Sequence, residues 1–307
     1  MIHSDENAYW WIGFIIFVVL MLLLDLKVFN RKAHEVKMKE ALLLSLFWIS
    51  LALIFNIGVW RFLGTEKALE FLTAYLIEES LSIDNLFVFI MIFSYFQIKP
   101  EFQHKILFWG IIGAMVLRAL FIVAGVALIQ RFEWVIYVFG AFLLFTAARM
   151  ALDRGQQIDP GKNPVIRLAR KLIPVTPEMH GNRFFIKIDA KRFATPLFIA
   201  LIMIEFTDLI FAVDSIPAVL AISDDPFIVY TSNIFAILGL RSLYFALSSV
   251  IRYFRFLKYG LSAILFFVGT KMIISGFFHI PIFISLGMVF GILLISILLS
   301  VLIPVRK

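Results

Sequence analysis

The chain has 307 residues, 62% of them hydrophobic and 16% charged, with a formal net charge of +7 and no cysteine. Runs of about 20 apolar residues recur from end to end, which excludes a soluble globular domain: lipid offers no hydrogen bonds, so such runs must be helices. The missing cysteines exclude disulfides, thiolate metal sites and dithiol redox chemistry, and the positive balance fits loops beside anionic lipid rather than nucleic acid.

Nine spans are predicted, at 9–29, 41–63, 69–94, 105–129, 133–151, 195–222, 227–250, 258–278 and 281–303, making one all-α, polytopic membrane domain over 1–307. The leader before the first span, Met1–Asn7, carries Asp5 and Glu6 where a signal peptide has basic residues, so that span is read as retained. Between the fifth and sixth spans lies the one long polar segment, 152–193. In it Pro164–Ile173 fits a short basic interfacial helix, and Phe184–Ile188 with the residues after it fits a small hairpin.

Of 28 lysines and arginines, 22 fall in the loops at 27–39, 95–105, 149–193 and 250–259 and in the tail, whereas the opposite side has only Arg61, Lys67 and Arg131. The positive-inside rule then predicts an outside N-terminus and a cytoplasmic C-terminus.

An internal repeat shows in three places. Glu78 and Asp84 have the spacing of Asp208 and Asp214; Leu117-Arg118-Ala119-Leu120 matches Leu240-Arg241-Ser242-Leu243; Tyr137 to Met150 resembles Tyr259 to Met272. Repeat one (69–151) therefore recurs as repeat two (195–278), with spans 9–29, 41–63 and 281–303 peripheral. Three helices is an odd number, so the second copy enters from the opposite face. Such inverted repeats place transporter sites near the bilayer midplane.

The repeat carries the acids. Glu78, Glu79, Asp84, Glu205, Asp208 and Asp214 lie inside apolar spans, where each charge costs at least about 2.5 kcal/mol. Arg118, Arg241 and Lys271 also lie within spans and are read as buried counter-ions, leaving a deficit of three positive charges if all nine share one cavity. Protons or a bound cation must fill it. Ser82, Asn85, Thr207, Ser215 and Asn233 are nearby auxiliary ligands, and Ser80 adds a further hydroxyl. Carboxylate, hydroxyl and carbonyl oxygens suit hard ions such as Mn²⁺, Mg²⁺ and Ca²⁺. All five histidines fall in loops or at span ends, which argues against an imidazole-rich site. Pro217 has no N–H for the carbonyl of Val213, which offers either a broken helix beside Asp214 or a simple packing kink.

With these residues the chain resembles the TerC/Alx family of integral membrane proteins, its Alx branch in particular. The blocks that carry the likeness are Tyr75–Phe89, Tyr137–Thr146, Ala194–Leu197, Glu205–Val219 and Asp225–Tyr244; FAVDSIPA, Phe211–Ala218, is the most diagnostic. The resemblance implies a fold of the LysE-like superfamily and a link to tellurium resistance and Mn²⁺ export. It makes Glu78, Asp84, Glu205, Asp208 and Asp214 the metal-handling carboxylates, while Glu79 falls where the motif is open. Such proteins are also labelled redox modulators, for which a chain without cysteine has no thiol.

The expectation is a secondary transporter of the bacterial inner membrane that exports Mn²⁺ or a similar hard divalent cation in exchange for protons. Asp84 and Asp214 would be central; Glu78 and Asp208 would gate or couple. No prosthetic group and no enzymatic activity are expected: the chain has neither a G-x-x-x-x-G-K-[ST] nucleotide loop nor the G-x-G-D context of an intramembrane protease. The alternative is a membrane scaffold of the tellurite-resistance type, with the acids as structural glue.

Overall fold

A computed structural model describes residues 4–29, 38–132, 134–152, 173–176, 179, 181–188, 191–247, 256–278 and 280–302. Inside its helices the side chains of residues 4–8, 25–29, 84, 87 and 247 lie outside the description. Among the described residues nine helices form: α1 (Ser4–Phe29), α2 (Met38–Leu63), α3 (Thr65–Tyr95), α4 (Pro100–Arg131), α5 (Val135–Leu152), α6 (Pro196–Leu220), α7 (Pro226–Leu247), α8 (Leu257–Ile274) and α9 (Ile282–Leu302). These are the nine expected spans, with ends moved by a few residues. Seven are long and apolar enough to cross a membrane. The 31-residue α3 is long enough, but every window of it carries at least three charged residues. In α1 the described apolar run is Tyr9–Leu24.

Local chemistry sets several boundaries. Gly64 separates α2 from α3 at φ +94°, a conformation other residues rarely adopt. Pro100 and Pro196 open α4 and α6, where the missing N–H costs nothing. Pro217 does not break its helix: α6 runs on to Leu220, and the amide of Ala221 donates to the carbonyl of Pro217. The break considered beside Asp214 is therefore absent. A single prolyl ring so near the end of a helix held by its neighbours costs one hydrogen bond and not the helix.

The expected hairpin is present as β1 (Phe185–Ile188) and β2 (Lys191–Ala194), antiparallel, with Ile186 opposite Phe193 and Lys187 opposite Arg192. The interfacial helix expected at Pro164–Ile173 lies, but for Ile173, outside the described residues.

Within the bundle α3 packs along α7, α4 along α6, α5 along α8 and α3 against α6. Exchanging α3, α4 and α5 with α6, α7 and α8 leaves these pairings unchanged. The α5–α8 crossing shows the same exchange at single residues. Gly140 lies against Gly269, each so close that a Cβ on one would sit 3.0 or 2.9 Å from the other's carbonyl oxygen. Farther along, Ser262 Oγ donates to the carbonyl of Ala147 at 2.8 Å. Aligning Tyr137 with Tyr259 turns the first contact into the second, so the two helices run antiparallel about a local two-fold.

Around this centre α1, α2 and α9 turn leucines, isoleucines and phenylalanines outward, among them Ile12, Leu43, Ile54 and Phe290. Such a continuous apolar exterior belongs in lipid. By contrast α7 is enclosed by α2, α3 and α4 and is almost wholly buried. Its Phe235 meets Phe55 at 4.9 Å and Phe71 at 6.0 Å between ring centroids.

Candidate functional site

Three fully buried ionic side chains meet where α3, α4 and α6 pack. Arg118 of α4 donates through Nη1 to Glu78 Oε2 at 2.6 Å, and through Nε and Nη2 to Asp208 Oδ2 and Oδ1 at 3.2 and 3.0 Å. Glu78, Arg118 and Asp208 are 1%, 1% and 3% exposed. The fork grips Asp208 with two parallel bonds and reaches Glu78 with one, the geometry that guanidinium alone among side chains provides.

One side of this triad opens into a cavity of about 40 Å³. Its lining includes Glu78, Ser82 and Asn85 of α3, Asp214 and Ser215 of α6, and Arg118, closed by Met150 of α5 and Leu265 of α8. Glu78, Ser82 and Asn85 stand at i, i+4 and i+7, so one face of an unbroken helix presents all three. Glu78 Oε1, Ser82 Oγ, Asn85 Oδ1 and Ser215 Oγ are all buried, and none has a hydrogen-bond partner among the described residues. Buried polar atoms are nearly always satisfied, and each orphan costs about 1–3 kcal/mol. Four orphaned oxygens on one small hollow are a ready-made shell for a guest. Asp214 Oδ1 accepts from Thr146 Oγ1 of α5 at 3.1 Å.

A second hollow, about 20 Å³, lies on the other side of Asp208, between Arg241 of α7 and Gly110, Ile111 and Ala114 of α4. Arg241, counterpart of Arg118 in the repeat, thus shares a wall with Asp208 too.

The remaining expected residues do not join the first cavity. Glu205 lies flat on α4: a Cβ at Gly113 would fall 2.1 Å from its Oε1. Glu79, rotated 100° from Glu78, packs over Gly239 of α7. Thr207 donates to its own helix, to the carbonyl of Met203 at 2.7 Å, and Ser80 likewise to that of Leu76. Asn233 is buried at 1% with neither amide atom bonded among the described residues, but it lines neither hollow. Lys271 lines neither hollow. The backbone of Asp84 lies in α3 beside the cavity face, and its side chain is outside the description. The single shared hollow is therefore corrected to a triad flanked by two cavities. Among the described residues no three His, Asp or Glu side chains close on one point, and the described donors on the first cavity are two carboxylates plus neutral oxygens. His104, expected near a span end, is buried in α4 and stacks on Phe245 at 4.4 Å, away from both hollows.

Two features escaped the reading of the sequence. Thr146 is signalled only as the last residue of the Tyr137–Thr146 block and as a hydroxyl in an apolar run, with no role attached. Glu70 forms a second polar cluster, bonded to Lys67 Nζ at 2.8 Å and to Ser223 Oγ at 2.5 Å, with Asp225 4.0 Å from Lys67. It ties the start of α3 to the α6–α7 turn.

The fold and site define a polytopic helical membrane protein with a buried polar hollow between two similar three-helix units. The chain belongs to the TerC family of integral membrane proteins: residues 63–307 match the profile described as "Integral membrane protein TerC family". It is 53% identical over 290 residues to "Uncharacterized membrane protein STKORF319" of Myxococcus xanthus, covering 94% of this chain and 91% of that one. It is 50% identical to "Putative membrane-bound redox modulator Alx" of Salmonella typhi and 46% identical to the protein of that name in Escherichia coli (strain K12), covering 94% of this chain and 93% of each relative. No solved structure is significantly similar to the chain.

Proposed function

We propose that this protein is a secondary transporter that exports a hard divalent cation, Mn²⁺ foremost, from the bacterial cytoplasm across the inner membrane in exchange for protons, with its C-terminus in the cytoplasm. The observation that carries the proposal is the roughly 40 Å³ cavity, with orphaned oxygens on Glu78, Ser82, Asn85 and Ser215 and the carboxylate of Asp214 beside them. Apart from the thioether of Met150 the possible donors are oxygens, which favour hard ions, and several of them are neutral hydroxyl and amide oxygens, which lower affinity, as suits an ion that must leave again. Asp84 would add a carboxylate from the neighbouring face of α3, with Asp208, held by Arg118, and Glu205, against Gly113, as coupling acids.

Expelling a divalent ion against an inside-negative potential costs about twice 2.3 kcal/mol per 100 mV. Inward protons supply that work, and the carboxylates that bind metal are the groups that can carry them. An oxyanion such as tellurite is repelled by the same acids, so tellurium resistance would follow indirectly from altered metal balance. A redox role would need a reactive group other than a thiol, since the chain has no cysteine.

The test is metal uptake into inverted vesicles with an imposed proton gradient and a panel of Mn²⁺, Mg²⁺, Ca²⁺ and Zn²⁺. Gradient-dependent Mn²⁺ uptake is expected; a scaffold protein would give no metal-dependent flux, and that result would end the proposal. In the same assay Thr146→Val, which removes the hydrogen bond to Asp214, is expected to raise the KM for Mn²⁺ about fivefold, the effect of ~1 kcal/mol.

A further inference from the structure

We propose that Arg118 is a tethered cation that competes with the transported ion for Glu78: it occupies the acid when the site is empty and lets go of it when the ion enters. The inference rests on the cation-transport reading and adds a moving part to it.

The argument begins with the unequal grip of the guanidinium. Two bonds, at 3.2 and 3.0 Å, hold Asp208 and one shorter bond, at 2.6 Å, holds Glu78, so a rotation about the Asp208 anchor breaks a single contact at Glu78 and keeps both at Asp208. Glu78 is also the acid that borders the oxygen-lined cavity, and its second oxygen, Oε1, is already unbonded there among the described residues. A cation lodged between Glu78, Ser82, Asn85, Asp214 and Ser215 would share the Glu78 carboxylate with Arg118. A guanidinium and a divalent ion pressed onto one carboxylate in a medium of low dielectric repel each other strongly. Arg118 therefore yields, or the ion does not bind.

The released arginine stays compensated by Asp208. Asp208 keeps both bonds of the fork while Glu78 is let go, so the rotation leaves neither Arg118 nor Asp208 without an opposite charge. The same arrangement gives ion release a driving group: when Arg118 returns to Glu78, it displaces the ion without a large unpaired charge ever standing in the membrane. A static counter-ion would instead bond both acids in every state and organise them for the metal.

Mn²⁺ binding to purified protein in nanodiscs separates the two roles. For Arg118→Gln the Kd for Mn²⁺ is expected to fall at least tenfold below that of the unmodified protein, while Mn²⁺ exchange in vesicles drops at least tenfold because protons alone must then expel a more tightly held ion. Arg118→Lys keeps the charge but loses the fork that spans two carboxylates; a smaller gain in affinity with partial exchange is expected. If Arg118→Gln does not accumulate as folded protein, a spectroscopic arm decides. The Mn²⁺-minus-apo infrared difference spectrum of ¹⁵N-arginine-labelled protein should show a guanidinium band shift that Arg118→Lys lacks.

Mn²⁺ binding and transport by the unmodified protein without an Arg118-dependent guanidinium shift would overturn the proposal while leaving the transport reading intact. So would folded Arg118→Gln that binds Mn²⁺ no more tightly. Absence of Mn²⁺ binding and flux in the unmodified protein would overturn both.

Discussion

Glu78→Gln and Asp214→Asn are each expected to reduce Mn²⁺ export about 100-fold or more, to background, while the protein still inserts and elutes as a single species. Both side chains border the oxygen-lined cavity, and both substitutions keep size while removing the charge that draws a cation out of water. Losing one partner of a buried ionic contact costs about 3–5 kcal/mol, which corresponds to two to four orders of magnitude in affinity. The substitutions differ in a second respect. Glu78→Gln also loosens Arg118, which keeps an amide oxygen at position 78 but only Asp208 as a charged partner, so this variant should melt at a lower temperature without metal. Asp214→Asn keeps an oxygen for Thr146 Oγ1 to donate to and should melt nearly as the unmodified protein does. Transport assay and thermal melt together thus distinguish an acid that only binds from one that also anchors a charge. Undiminished export by both variants would remove the cavity from the mechanism.

Gly269→Leu is expected to be the most damaging change outside the buried ionic residues. At this position α5 and α8 touch backbone to backbone, and a Cβ would lie 2.9 Å from the carbonyl oxygen of Gly140 and 3.1 Å from Leu143 Cβ. A carbonyl cannot move aside as a side-chain tip can, so the helices must separate. The cost lies at the top of, or beyond, the ~1–3 kcal/mol typical of overpacking. Close contact through small residues is also the principal attraction between helices in lipid, where burial of apolar surface adds little. Gly140→Leu should behave alike. Gly291→Ala in α9, where the added methyl meets nothing within 4 Å, serves as control and should be neutral or slightly stabilising, since alanine favours helix over glycine. Fluorescence-detected melting in detergent would measure all three.

The fold was legible because the bilayer leaves few choices: apolar runs of the right length must be helices, and all nine are. Even α3 could be read despite its acids, because the residues around them are mostly apolar from 69 to 94. The site was legible in its residue types and only partly in its grouping. Adding up nine charges treated them as one set, but rotation about a helix separates neighbours. Glu78 faces Arg118, whereas Glu79 is turned to Gly239 and Glu205 to Gly113. The i, i+4, i+7 alignment of Glu78, Ser82 and Asn85 was available from spacing alone. The partners were not. Nothing local joins Thr146 to Asp214, 68 positions away, or Glu70 to Ser223, 153 positions away. Those pairings depend on how helices from two repeats cross, and that is decided by small residues such as Gly140 and Gly269, whose importance shows only when a neighbour's backbone is in place.

The enclosed position of α7 bears on how the chain is made. This helix is the least hydropathic of the seven that could cross a membrane, and almost none of it faces outward. Its serines, Thr231, Asn233 and Arg241 are buried against protein, so as an isolated segment leaving the ribosome it would meet lipid with those groups bare. Stable entry then requires α2, α3 and α4 to be waiting beside the insertion machinery, and the second half of the polypeptide settles only around a first half already in place.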